Sequence, residues 1–231
     1  VPDSRPIALV TGATGGMGSA IVRDLAATHR VIAVGRNTAQ LEALKAETGA
    51  DIWELDITDS NALAAQVGSL TGLDVLVHAA ARGGSLSVEA ARPGDWADYC
   101  ALNVTAPAEL TRLTLPLLRA TSGTVIFIGS GAGTRPAPGS AVYTATKHAL
   151  RGLADVLRID EEPHRIRVVT LAPGQTDTAM LRGNIPADAY EADRYIRPES
   201  VAGAVRFVVD APADVQITDL AVRPRQEIAR I

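Results

Sequence analysis

Short apolar runs alternate with amphipathic stretches along most of the chain. Residues 7–10, 30–34, 52–55, 75–77, 124–128, 168–171 and 217–222 are brief, mostly β-branched or leucine-rich runs, the pattern of strands buried on both faces. Between them apolar residues return at helical spacing: Ile21, Val22, Leu25 and Ala26, then the windows 38–47, 61–67, 96–119, the stretch after Ser140, and 199–209. Ser140 is the predicted N-cap of its helix. Strand and helix in strict alternation predict an α/β fold, a doubly wound, seven-stranded parallel sheet with helices on both faces. With no boundary, repeat or low-complexity run, residues 1–231 read as a single domain. Ligands of such sheets collect at the carboxyl ends of the strands, where Asp56, residues 78–82, Ser130 and Pro173-Gly174 fall.

Two stretches break the pattern. Pro107 lies four residues after Asn103 and has no N–H to give that residue's carbonyl, which predicts a bend near Asn103. Residues 176–197 mix Gly183, Pro186 and several charges with Met180, Leu181 and Ile185, and read as an irregular lid over a ligand.

The first strand runs into Thr11-Gly-Ala-Thr-Gly-Gly-Met-Gly18 and then a helix. Glycines at this junction permit close backbone approach, and a helix N-terminus offers unpaired N–H groups to a pyrophosphate, so a dinucleotide is the expected ligand. The second strand ends at Gly35-Arg36-Asn37, with no carboxylate to take a ribose 2'-hydroxyl. An arginine there suits a 2'-phosphate, and the expectation is NADP(H) over NAD(H).

Residues 123–151 form a strand, a Gly/Pro-rich turn and a helix on which Tyr143 and Lys147 stand one turn apart. A phenol with an ordinary pKa near 10 transfers protons poorly at neutral pH, and lowering it to about 7 takes roughly 4 kcal/mol, about what a unit charge ~4 Å away supplies at an effective dielectric near 20. Of the 22 basic residues only Lys45 and Lys147 are lysines, which suggests that a compact ammonium is required beside Tyr143.

A net charge of -4 and 3% aromatic residues argue against nucleic-acid binding. The single cysteine, Cys100, reads as a packed thiol, and the scattered histidines give no metal site. With no long apolar run and a first apolar segment too short for a leader, a soluble cytoplasmic protein without membrane contact is expected.

Taken together these motifs resemble the short-chain dehydrogenase/reductase family, in the right order and over nearly the whole chain. Thr11-Gly12-x-x-x-Gly16-x-Gly18 is similar to its cofactor loop, Asp56 to its adenine-contacting aspartate, and Pro173-Gly174-x-Thr176-x-Thr178 to its nicotinamide-holding segment. Asn103, Ser130, Tyr143 and Lys147 match its catalytic set. The resemblance implies a Rossmann-type fold and NADP(H)-linked hydride transfer at a carbonyl or secondary alcohol. Tyr143 would act as general acid or base, Ser130 would hold the substrate oxygen, Lys147 would bind the nicotinamide ribose and lower the phenol, and Asn103 would anchor a water on a proton path. Cofactor contacts are expected from Thr11, Gly12, Thr14, Gly16, Met17, Gly18, Arg36, Asn37, Asp56, Ile57, His78, Ala79, Ala80, Tyr143, Lys147, Pro173, Gly174, Thr176 and Thr178. His78-Ala-Ala-Ala81 replaces the family's usual Asn-Asn-Ala-Gly, and Ala81 adds a methyl group where a positive φ would be costly. The resemblance also implies a small carbonyl or alcohol as partner, and a homodimer or homotetramer joined through the helices carrying Asn103 and Tyr143. An alternative is a 3-oxoacyl or 3-hydroxy-acid enzyme in which Arg135, Arg182 or Arg194 binds a carboxylate. A further alternative is a dinucleotide sensor without catalysis, whose damaged catalytic set is not seen here. The shortness of the chain counts against a sugar-nucleotide epimerase.

Overall fold

The computed structural model describes residues 4–226, so the ends of the expected 1–231 domain lie outside the described residues. Among the described residues, seven strands make one parallel sheet: β1 (Ile7–Thr11), β2 (Arg30–Gly35), β3 (Asp51–Glu54), β4 (Val75–His78), β5 (Thr124–Ile128), β6 (Arg167–Pro173) and β7 (Asp219–Val222). Their order is β3-β2-β1-β4-β5-β6-β7. The helices are α1 (Gly16–Leu25), α2 (Thr38–Thr48), α3 (Ser60–Val67), α4 (Pro93–Cys100), α5 (Ala106–Thr121), α6 (Ala141–Asp160), α7 (Ala179–Arg182) and α8 (Pro198–Val209).

Because side chains alternate along a strand, each strand feeds two cores. Ala8, Val10, Val75, Val77, Ile126 and Val169 pack with α1 and α8 on one face. Leu9, Leu76, Val125, Phe127 and Val168 pack on the other face, with Leu63, Leu110 and Leu150 from α3, α5 and α6. Arg206 of α8 fastens the first face: its guanidinium donates to Asp24 Oδ1 at 2.8 Å, to the Asp24 carbonyl at 2.6 Å and to Thr28 Oγ1 at 2.6 Å. No helix among the described residues is long and apolar enough to cross a membrane.

Thr11 lies opposite His78 in the register, so the segments leaving β1 and β4 emerge side by side. The order reverses here, with β2 on one side of β1 and β4 on the other, and this opens the crevice in which such sheets bind ligands.

Several local expectations need correction. The predicted helix over 96–119 divides, with α4 and α5 joined through a π-helical turn at Ala101–Thr105. There the Ala106 N–H reaches back five residues to the Ala101 carbonyl, a π-helical bond just before Pro107. Ser140 precedes α6, but its side chain makes no cap bond. Cys100 is exposed rather than packed, because Tyr99 takes the inward face of α4 and the next residue turns away by about 100°. The segment over 176–197 is more ordered than a lid of irregular chain: it holds α7, two single 3-10 turns and a parallel bridge from Thr176 to Ile196.

Candidate active site

The site is built from two adjoining cavities that share Met17, Thr178 and Met180. The first, about 300 Å3, lies over the β1–α1 turn and is lined by Gly12, Thr14, Gly16, Gly18, Arg36, Asp56 and Ile57, with Ala79, Ala80 and Ala81 from beyond β4. The turn is tight: the Gly15 N–H donates to the Gly12 carbonyl at 2.9 Å, and a Cβ on Gly18 would stand 2.1 Å from that carbonyl oxygen. Gly12 has φ +67 and lies against the Ala80 backbone, where a Cβ would come within 2.7 Å.

The N-terminus of α1 has no side-chain cap and no acidic residue in its first turn. By contrast Asn37 caps α2 and Asp59 caps α3. A helix start left uncapped by the protein, beneath glycines whose missing side chains clear the approach, fits the pyrophosphate of a dinucleotide. At the far end Arg36 donates to Asp56 at 3.2 Å, and its side chain is 73% exposed. The Asp56 carboxyl is held below its usual range chiefly by the Thr58 backbone N–H, opposed by burial, with the Thr58 hydroxyl and Arg36 adding to it. The Ala81 methyl lines this cavity, but Ala81 has no positive φ, a conformation confined among described non-glycine residues to Ser122 and Arg165. The strain expected at Ala81 is therefore absent.

Thr11, Asn37 and His78, expected on the cofactor, line neither cavity. Thr11 is buried, and its hydroxyl accepts from the Ala79 and Ala80 N–H groups at 3.2 and 3.3 Å, tying the β4 exit to β1. Asn37 Oδ1 accepts from the Gln40 N–H at 3.0 Å as the cap of α2. His78 is buried, stacked on Phe127 with ring centroids 4.8 Å apart and Nε2 bonded to Thr111 Oγ1 at 2.9 Å.

Burial lowers the His78 imidazole from 6.5 to about 3. The unfolded chain therefore binds a proton that the native state refuses between those values, and stability falls as pH drops through this window by up to about 5 kcal/mol. In urea unfolding between pH 6.5 and pH 4, His78→Asn is expected to lose stability less steeply than wild type, by about one proton's worth of slope. Equal slopes would remove His78 from the acid response.

The second cavity, about 430 Å3, holds Ser130 and Tyr143 on its wall, with Pro173, Gly174, Thr176 and Thr178 around it. Ser130 Oγ accepts from the Ala132 N–H at 3.2 Å, which leaves its proton to donate elsewhere. Lys147 and Asn103, 3% and 1% exposed, stand behind this wall. Lys147 Nζ donates to the Ile128 carbonyl at 2.8 Å and lies 5.7 Å from the centre of the Tyr143 ring. Asn103 receives the Arg82 N–H at 2.8 Å and donates to the Arg82 carbonyl and Thr146 Oγ1 at 2.9 and 3.0 Å. Both Nδ2 protons and one of the two Oδ1 lone pairs are therefore engaged.

The lowering of the phenol expected from Lys147 is reversed here. Burial holds the Tyr143 phenol above its ordinary value, Tyr99 adds to that, and a hydrogen bond with Ser130 works against it. The lysine is itself brought down to about 8 by burial, with its ammonium directed at the Ile128 carbonyl. A protonated phenol beside a serine hydroxyl is equipped to hold a carbonyl oxygen and protonate it.

Of the arginines considered for a carboxylate, only Arg135 lines this cavity. Arg182 is paired with Asp177 at 2.6 Å and Arg194 with Glu191 at 3.7 Å. Arg223, which sequence reasoning missed, does line it, from the first position after β7. The rule that ligands meet strand carboxyl ends, applied to the last strand, points to it.

Residues 6–188 match the family model described as short chain dehydrogenase. The chain is 34% identical over 236 residues to the NADP-dependent 3-hydroxy acid dehydrogenase YdfG of Escherichia coli (strain K12), with 94% of each chain covered. Among solved structures, the closed form of serine dehydrogenase complexed with NADP+ is similar at a TM-score of 0.87 and 33% identity, covering 97% of this chain and 98% of that one. A metagenomic short-chain oxidoreductase in complex with NADP is similar at a TM-score of 0.82 and 30% identity, covering 96% and 98%.

Proposed function

The chain belongs to the short chain dehydrogenase family, and from that membership we propose an NADP(H)-dependent oxidoreductase acting on small carbonyl compounds or secondary alcohols. The observation that carries this reading is the pairing of Ser130 and Tyr143 on a cavity that continues into the glycine-lined crevice. The uncapped α1 start would hold the pyrophosphate, Arg36 the 2'-phosphate, Asp56 the adenine, Lys147 the nicotinamide ribose, and the segment from Pro173 to Thr178 the nicotinamide. Bound there, the cofactor would supply the hydride for reduction of a carbonyl carbon. The C=O π pair moves to oxygen, and that oxygen takes the Tyr143 proton while Ser130 donates a hydrogen bond to it. The buried Lys147 ammonium offsets the phenolate left behind. Self-association through α5 and α6 is part of the same reading, supported by Val156 and Ile159, which are 58% and 68% exposed on α6.

The test is consumption of NADPH across a panel of ketones, aldehydes and 3-oxo esters. Turnover supports the reading; NADPH binding without turnover on a broad panel favours the cofactor sensor. For the cofactor, Arg36→Asp places a second carboxylate beside Asp56. It should weaken NADPH roughly ten- to hundredfold, the worth of one charge-assisted hydrogen bond, and change NADH little. Equal losses for both cofactors would show that Arg36 does not read the 2'-phosphate.

A further inference from the structure

The segment that runs from β4 toward Tyr143 is held by a side chain that takes no part in the proposed hydride and proton transfer. Tyr99, four residues before Asn103, is 4% exposed, and its hydroxyl donates to the Gly83 carbonyl at 3.0 Å. Asn103 binds both main-chain groups of Arg82, so these two side chains fix three successive polar groups of the segment: the Arg82 N–H, the Arg82 carbonyl and the Gly83 carbonyl. The Arg82 guanidinium returns over the Tyr99 ring, 5.0 Å from its centre, and pairs with Asp98 at 3.3 Å. Gly84 has φ +145, and a Cβ there would meet the Tyr99 hydroxyl oxygen at 3.0 Å. Gly83 is pressed by the lid segment, since a Cβ on it would stand 2.5 Å from Met180 Sδ. Gly83, Gly84 and Met180 all line the cavity of Ser130 and Tyr143. The segment goes on to α6, where the Val142 N–H, one residue before Tyr143, donates to the Leu86 carbonyl at 3.5 Å. Residues 79–87 belong to no helix or strand, so bonds of this kind decide where the wall stands.

We infer that Tyr99 is a positioning residue for the substrate: through Gly83 it fixes the cavity wall that packs on Met180, and so holds the carbonyl compound against Ser130 and Tyr143. The inference rests on the oxidoreductase reading above. Tyr99 lines neither cavity, so it reaches the substrate only through this wall. Its phenol stands close enough to that of Tyr143 to help keep the proton there.

Tyr99→Phe tests this, since it removes the hydroxyl and keeps the ring under Arg82. Wild type and variant are compared on ethyl acetoacetate and on every other carbonyl of the panel that wild type reduces. A wall that holds ground state and transition state alike acts on KM, which should rise about two- to tenfold, the worth of one neutral hydrogen bond, with kcat and NADPH affinity unchanged within about twofold. A lower kcat at unchanged KM, the mark of a smaller folded fraction, overturns the inference, and so do unchanged constants. Amide exchange followed by mass spectrometry supplies a readout free of turnover. Exchange across residues 79–87, where Asn103 protects the Arg82 N–H, should accelerate in the variant while β4, β5 and α5 exchange as in wild type. Unchanged exchange in that segment overturns the inference, as does acceleration spread over the sheet. Wild type that consumes no NADPH on any carbonyl sinks the oxidoreductase reading and the substrate role with it. Turnover with the same KM in wild type and Tyr99→Phe sinks this inference alone.

Discussion

Replacing Tyr143 with Phe will lower NADPH-dependent carbonyl turnover by roughly 10²- to 10⁴-fold, the range that a positioned acid contributes, and leave NADPH binding nearly intact. The substitution removes one hydroxyl from a half-buried ring whose position is set by α6, so the fold has little reason to change. What is lost is a proton that burial holds on the phenol at neutral pH, next to the one side-chain oxygen, Ser130 Oγ, that bonds with it. Stopped-flow turnover together with fluorescence titration of NADPH separates the two quantities. Retained turnover would end the assignment of Tyr143 as proton donor.

The second large effect is expected at Gly18. A methyl there would stand 2.1 Å from the Gly12 carbonyl oxygen and 2.7 Å from its carbon, both backbone atoms of the turn itself. Relief requires moving the turn away from α1, which opens the helix start offered to the pyrophosphate. Gly18→Ala should therefore cost about 1–3 kcal/mol of stability, the range for overpacking, and weaken NADPH by more than the Arg36 variant does. Gly203 in α8 is the control: nothing lies within 4 Å of its added methyl, and Gly203→Ala should be neutral or stabilising by up to about 1 kcal/mol. Isothermal titration of NADPH and urea unfolding of both variants make the comparison. Normal cofactor affinity in Gly18→Ala would show that the turn adapts.

The seven-stranded parallel sheet was legible because each strand is a short apolar run and strands alternate with amphipathic helices. Tyr143 and Lys147 were legible as a pair because helical spacing places them one turn apart. Which direction a polar side chain faces was not legible. Thr11, Asn37 and His78 stand beside the cofactor crevice in sequence, yet hydrogen bonds to Ala79, Gln40 and Thr111 turn them into scaffold. Cys100 shows the same limit on a helix, where one residue of offset from Tyr99 decides between core and solvent. The direction in which the Tyr143 phenol is shifted escaped for a different reason: spacing reports how near a lysine stands, but not that the phenol is buried or that the ammonium is turned to the Ile128 carbonyl. Arg223 depends on the β7 edge meeting the Ser130 turn, a contact between segments far apart in the chain.

The Arg206 clamp on Asp24 and Thr28 bears on how the molecule is made. During synthesis α1 leaves the ribosome well before Val201, Ala202, Val205 and Val208, which cover its apolar face, since Arg206 and Asp24 are 182 residues apart in the chain. That half of the core cannot close until α8 has been translated. Sequence-distant contacts of this kind form slowly, and until they form the face of α1 stays open to other chains. Nascent chains cut short before α8 would carry the glycine turn and the Tyr143 helix, yet lack the helix that seals the first face of the sheet.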